Sequence, residues 1–493
     1  MKIGLISVYF GLFDEALPPT FRKERTELNK TIEKGLSVYG KLVNPGLVDN
    51  ENSAKLANKL YIKEGVDVLV YAPTMAAPPV YLEKCIQNIN TPLMCISPQE
   101  FYTTPKDYDT DTGTKHSTLV GLTMGTNILV REGRPFEVEV LHIDEISSSK
   151  NLEDFFKAVG DKNLRQAIEN EEKEEVVIGE EKKEVSEAVN ALRNSPLIAL
   201  GNPISGYLDV ELTDEDAELL GIEIKKITKE ELNKTFNQIE DDDTKDLMKK
   251  INDKFTHGRK VDNAVLEQSC KLSLAMKRIT EDNHAIGGTI NCHGDFFRWN
   301  DKVGITGCLG VSCLAEEGKL FSCTGDIPAS IALIAAKIIS GSALYCECYT
   351  IDFENNTILI ANGGEGDFTI NNESPNLRIL PEDHYMGDNG PGVAVQFDIK
   401  EMDATLISIT PTFINNKNEW RIILAEGIAL DSKHPNMEGP NTMFKFNSKS
   451  AKKSFEDWAR LGASHHAILM PGHQKKPFKS FSDSMNIRLE IVT

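Results

Sequence analysis

Lys2-Ile3-Gly4-Leu5-Ile6-Ser7-Val8 opens the chain as a short apolar run with a single charge, stopped at Gly11 and followed by Asp14 and Glu15. It reads as a first β-strand rather than a leader peptide. The hundred residues that this strand begins decide the fold, because strand and helix signals alternate along them. Helical 3.6-residue spacing over 21–39 leads to an apolar run at 41–43. A second helix at 53–64 leads to a run at 66–71, and a third at 80–87 to a run at 92–96. This rhythm is how a doubly wound parallel sheet is written. No GxGxxG follows the first strand, so the dinucleotide fingerprint is absent, and no Walker-type phosphate loop occurs.

Outward from that unit, residues 163–187 become charge-dense, with Glu171-Glu172-Lys173-Glu174-Glu175 and Glu180-Glu181-Lys182-Lys183-Glu184. A solvated helical connection at a domain boundary is expected there. The βα rhythm then restarts, with a strand at 196–200, a turn at Gly201-Asn202-Pro203, a helix over 209–220 and a strand at 222–227, which predicts a second doubly wound unit. Beyond Ala343 the pattern changes to strand-like runs at 343–353, 357–361, 392–397, 404–412 and 420–425, separated by Gly, Asn and Asp turns. A β-rich third domain, sandwich or barrel, follows from that spacing. The expected division is an N-terminal α/β domain at 1–170, a central α/β domain at 171–342 and a β-rich C-terminal domain at 343–493.

Composition narrows the partners. The 493 residues carry 54 Lys and Arg against 75 Asp and Glu, and the net charge of -21 opposes general affinity for nucleic acid or anionic lipid. No run of about 18 uninterrupted apolar residues occurs. A cytoplasmic protein with a small-molecule partner is expected. The nine cysteines form no CxxC arrangement and read as free thiols in a reducing compartment.

Four stretches concentrate ionisable and turn residues in apolar surroundings: Asn291-Cys292-His293-Gly294-Asp295, Cys323-Thr324-Gly325-Asp326, Cys346-Glu347-Cys348-Tyr349 and His465-His466. Glu347 is centred in an apolar strand. It either points to solvent from an edge strand or is held inside by a cation, a metal or a proton. In the His465-His466 pair, neighbours on a strand face opposite sides, so one of the two is expected to reach a site there. Asp326 precedes the apolar helix starting at Ile327 and fits an N-cap with Pro328 in the first turn. The same carboxylate ends a strand, where ligands of open α/β sheets collect.

Taken in order with Lys2-Ile3-Gly4-Leu5-Ile6, Thr306-Gly307-Cys308-Leu309, Leu314-Ala315-Glu316-Glu317-Gly318 and Asn362-Gly363-Gly364, these stretches resemble the L-fucose/L-arabinose isomerase family, whose members convert aldoses to ketoses with Mn²⁺. The resemblance implies a metal site of two acids and a histidine. The family's second acid falls on Glu347 and its C-terminal histidine on His466. The first acid falls on Thr324 and an additional histidine of the arabinose isomerases falls on Asn362, two departures at the centre of the site. Asp326 is the replacement carboxylate that the local sequence offers. The implied function is an intramolecular oxidoreductase acting on a small sugar with Mn²⁺ (or Mg²⁺), with Glu347 and Asp326 in acid–base and ligand roles, His466 as ligand, and Thr324, Asn362 and His116 near the substrate. A homo-oligomer, trimer or hexamer, is implied as well, with His116 a candidate for a contribution across subunits. The alternative is a family member with a degenerate metal site that binds a sugar or sugar acid or catalyses a different reaction. A doubly wound sugar receptor is disfavoured by the β-rich third part and the lack of a leader signal.

Overall fold

The structure is a computed structural model and describes residues 1–161, 183–294, 296–370, 376–382, 392–414, 417–432 and 434–492. Its N-terminal sheet is parallel, in the order Lys41–Val43, Lys2–Val8, Val68–Tyr71, Leu93–Gln99, Glu137–His142, with Leu47–Val48 running beside the end of the first strand. Chain order in space is therefore that of a doubly wound sheet. Alternation along the strands divides two cores. Ile3, Leu5, Val68 and Val70 pack with Leu28, Ile32 and Leu36 of helix Thr20–Leu36, whereas Ile6, Leu69 and Tyr71 face Ala54, Ala57 and Tyr61 of helix Glu51–Glu64. That second helix is set by an Asn50/Ser53 capping box at one end and by Gly65, in the left-handed conformation, at the other.

The central unit is a second parallel sheet, in the order Leu320–Ser322, Gly287–Ile290, Leu197–Leu200, Ile224–Lys226. Its first helix departs from expectation. It spans Asp214–Leu220 rather than starting at Asp209, because the Thr213 hydroxyl and the Asp216 carboxylate form a reciprocal capping box that fixes the start. Residues 207–212 are thereby left as a compact turn, and Asp209 within it is fully buried. The charge-dense connection is helical from Lys183 (Lys183–Asn194), and the rest of it, like Asp295, lies outside the described residues.

The C-terminal part is an antiparallel barrel. Strands Met402–Ile414, His466–Pro471, Leu344–Asp352, Thr357–Ala361, Asn441–Phe446 and Lys417–Ala429 pair in that order, and the last returns to the first. Arg488–Ile491 adds to Lys417–Ala429 in parallel. One face of these strands, with Ile407, Ile409, Ile422, Leu424, Ile468 and Met470, packs against the apolar helix Ile327–Ser340 of the central unit. The fold is thus two doubly wound α/β units and a β-barrel, the fold class expected from the sequence. All nine cysteines are free thiols. Among the described residues no helix is long and apolar enough to cross a membrane.

Candidate metal centre

Strand register creates the heart of the site. Leu344–Asp352 runs antiparallel to His466–Pro471 with Glu347 directly opposite His466 and Tyr345 opposite Ile468. Directly opposed residues place their side chains on the same face, close enough to interact. His466 also shares a face with Ile468 and Met470, the face that meets helix Ile327–Ser340. Glu347 is therefore not at a sheet edge. Its Oε1 lies 3.9 Å from Nε2 of His466, with 23% of the side chain exposed. A bulge between Cys348 and Thr350 interrupts the ladder at Tyr349, whose hydroxyl donates to Glu347 Oε2 at 2.6 Å.

Asp326 meets the same histidine from behind. It is the N-cap of helix Ile327–Ser340, where Oδ1 accepts from the Ala329 N–H at 2.8 Å, and Oδ2 lies 2.7 Å from Nδ1 of His466. Since Nδ1 and Nε2 occupy opposite sides of the ring, Asp326 orients His466 towards Glu347 instead of standing beside Glu347. The expected capping is observed, and the carboxylate reaches His466 on the ring nitrogen away from Glu347, which is not the position of a ligand beside Glu347. Burial raises Asp326 to about 7, against the Ala329 N–H and the charge of His465. Burial, followed by the charges of His465 and His293, holds His466 well below the ordinary histidine range.

His465 differs from expectation. It precedes the strand that begins at His466, so strand alternation does not turn it away, and the two imidazole centroids lie 3.6 Å apart. One donor atom from each of Glu347, His465 and His466 falls within 4.8 Å of the others. Nδ1 of His465 is bonded to Asp209, so the opposite ring nitrogen is the one that remains to serve as a ligand. Burial opposes a proton on His465, but the charge and hydrogen bond of Asp209, with Glu347 and Asp326 beyond, raise its pKa. Sequence reasoning missed Asp209. Its signal was a carboxylate inside the apolar run Tyr207-Leu208-Asp209-Val210, upstream of the capping box that keeps it out of the helix.

Of the other singled-out residues, His293 is buried near His466, and burial and then Arg298 lower it to about 4. Thr324 adopts a left-handed φ of 57°, and its hydroxyl lies 3.3 Å from that of Tyr345, whose ring tilts against His466 at 4.5 Å. Asn362 donates to the Glu365 carbonyl at 2.8 Å and accepts from the Gly363 N–H at 2.6 Å, so it shapes a turn. That turn holds Glu365, a carboxyl the sequence reading passed over, which burial raises to about 7 while Asn362 and Cys308 pull it down and Glu347 adds to the rise. His116 is not part of the cluster. Its Nδ1 is 2.7 Å from Glu100, which also pairs with the buried Arg25 at the end of the N-terminal sheet.

Residues 342–488, which carry Glu347 and both histidines, match the family described as the L-arabinose isomerase C-terminal domain. This C-terminal part of the chain is therefore similar to the C-terminal domain of L-arabinose isomerases. Sulfoquinovose isomerases of Priestia aryabhattai and Priestia megaterium are each 28% identical over 156 residues, which is 30% of this chain and 31% of theirs. The match thus covers about a third of the length of these relatives. The structure brings His465 into the space beside Glu347 and His466. The donor set suits a divalent ion: imidazole and carboxylate are ligands for Mn²⁺ and its neighbours, and both imidazoles have a carboxylate on the far nitrogen, as metal-bound histidines do.

Proposed function

We propose that the protein is an aldose–ketose isomerase that acts on a small sugar with a divalent metal at the Glu347–His466 centre. The carrying observation is the cross-strand pairing of Glu347 with an Asp-backed His466 inside a domain of the arabinose isomerase type. Interconverting an aldose and a ketose moves a proton between C1 and C2. It requires a base, an acid able to serve the oxygens and a stabiliser of the enediolate. A bound divalent metal would supply that stabilisation as a Lewis acid. Glu347, partly exposed and steadied by Tyr349, has the access to take the proton. Glu365, raised by burial to about 7 with a smaller push from Glu347, is a carboxyl able to give one.

The relatives' name places an anionic sugar beside neutral aldoses as a candidate substrate. The test is direct. Metal content is measured on purified protein, and ketose formation is followed by NMR with glucose, fucose, arabinose and sulfoquinovose, with and without added Mn²⁺. Mn²⁺-dependent conversion of at least one sugar is expected. Absence of conversion by metal-loaded protein across neutral and anionic sugars would remove the isomerase reading. Thr324 and Asn362, at positions where the family carries an acid and a histidine, favour a second reading, a protein that binds a sugar or sugar acid or runs another reaction. A sugar that raises the melting temperature without being converted is the outcome that selects it.

A further inference from the structure

The Asp209–His465 pair is built with more care than a packing contact needs. Both side chains are sealed from solvent, at 0% and 3% exposure, and Asp209 Oδ1 has no hydrogen-bond partner among the described residues. Burying a carboxylate against a single imidazole is costly, so the pair persists only if its surroundings enforce it. One helix of the N-terminal unit, Thr118–Arg131, enforces both halves. Arg131 Nη1 donates to the Leu208 carbonyl at 2.6 Å and Nη2 to the Glu211 carbonyl at 2.8 Å, which clamps the chain on either side of Asp209. One turn earlier, Asn127 Nδ2 donates to the Gly462 carbonyl at 2.8 Å and to Thr410 Oγ1 at 2.9 Å, which fixes the loop leading into His465. Ser464 closes that loop, its N–H donating to Ser408 Oγ at 3.1 Å.

We propose that Asp209 is a positioning residue for the metal centre: by holding Nδ1 of His465 it presents the other ring nitrogen beside Glu347 and His466, so that His465 serves as the third protein ligand where the family acid is replaced by Thr324. The proposal rests on the metal reading of that centre. It makes the centre doubly symmetric in design, with Asp209 behind His465 and Asp326 behind His466. Carboxylates in this position set the tautomer and direction of a metal-bound imidazole, and their loss typically lowers metal affinity about 10–100-fold. Two imidazoles and one carboxylate also change the ion preferred. Such a set favours Mn²⁺, Fe²⁺ or Co²⁺ over the all-oxygen preferences of Mg²⁺ and Ca²⁺.

The experiment reads coordination rather than turnover. The whole protein is stripped with EDTA and titrated with Co²⁺ by calorimetry and visible absorption, as wild type, Asp209→Ala, Asp209→Asn and His465→Gln. Asp209→Ala should weaken Co²⁺ binding about 10–100-fold and alter the d–d band. Asp209→Asn, which keeps an acceptor for the ring N–H in the same volume, should recover part of the loss. His465→Gln should weaken binding at least as much and show the band of a lost nitrogen ligand. Wild-type affinity and spectrum in His465→Gln would overturn the ligand role, and the same result in Asp209→Ala alone would overturn the positioning role. If the variants do not fold, pulsed EPR on Mn²⁺-loaded wild type decides. Coupling to two imidazole nitrogens is expected, and coupling to one, or no binding, overturns the proposal. Two-imidazole binding with no sugar converted would sustain this site while removing the isomerase reading.

Discussion

Glu347 has Tyr349 on one carboxylate oxygen and Nε2 of His466 near the other, so its two oxygens face different partners from one partly exposed position. Glu347→Gln keeps the volume and removes the charge and the base. Turnover should fall about 10²–10⁴-fold, the range of general acid–base contributions, with circular dichroism unchanged. A loss of less than tenfold would take the proton-transfer role from Glu347. Asp326 divides its oxygens as well, between a helix N-terminus and an imidazole. Asp326→Asn preserves a good N-cap and should not lower stability by more than about 1 kcal/mol, while weakening metal binding about 10–100-fold. The pH dependence carries a sign. Burial raises Asp326 from 3.8 to about 7, so its folded form binds more protons than its unfolded form between those values. Metal-free wild type therefore loses stability as pH rises through that window, and Asp326→Asn should flatten the slope measured by denaturant titration.

Elements bring these residues together through register and termination. The pairing of Leu344–Asp352 with His466–Pro471 aligns Glu347 with His466, and a one-residue slip would send the imidazole to the opposite face. The start of that second strand matters equally, since it leaves His465 outside strand geometry and free to turn into the cluster. Gly462 makes the approach possible. Its φ of 82° suits glycine, and a Cβ there would lie 2.7 Å from Cβ of Val130. Gly462→Ala should cost about 1–3 kcal/mol, read as a lowered melting temperature. It should also weaken metal binding by moving His465. Unchanged metal affinity in a destabilised Gly462→Ala protein would show that the His465 loop is not coupled to the centre.

At the scale of the whole molecule, the site lies where all three units meet. Asp209 comes from the central unit, Glu347 and the histidines from the barrel, and helix Thr118–Arg131 of the N-terminal unit grips the backbone on both sides. Arg131→Ala would strip two carbonyls of their donor at a cost of about 1–3 kcal/mol each. The melting temperature should drop, and metal affinity should drop with it. Metal in turn should stabilise the assembled fold. At a concentration 100-fold above its dissociation constant, an ion bound only by the native state adds about 2.7 kcal/mol. Mn²⁺ should raise the melting temperature of wild type, EDTA should reverse the rise, and His466→Ala should abolish it. A rise that survives in His466→Ala would place the ion elsewhere.

The sequence by itself determined the order of units and several of the chemical groups. Apolar runs with helical spacing between them give parallel sheets, since burial on both faces leaves that pattern in the residues. The switch to turn-separated strands after Ala343 marked a β-rich third part, with sandwich and barrel both open until the strand pairing was known, and the N-cap at Asp326 was legible because capping is local. What only the tertiary structure decided is which groups face one another. Glu347 and His466 are paired by a register spanning more than a hundred residues of chain. The withdrawal of Asp209 from its helix was signalled locally by Thr213 and Asp216, but its meeting with His465 was not. Asn362 carried a departure from the family pattern, and the turn it builds around Glu365 became visible only with the fold. Periodicity and capping are properties of neighbouring residues and can be read along the chain. A metal-type cluster depends on the convergence of distant backbone segments, and the clamp by Arg131 and Asn127 that enforces it leaves no periodic trace in the sequence.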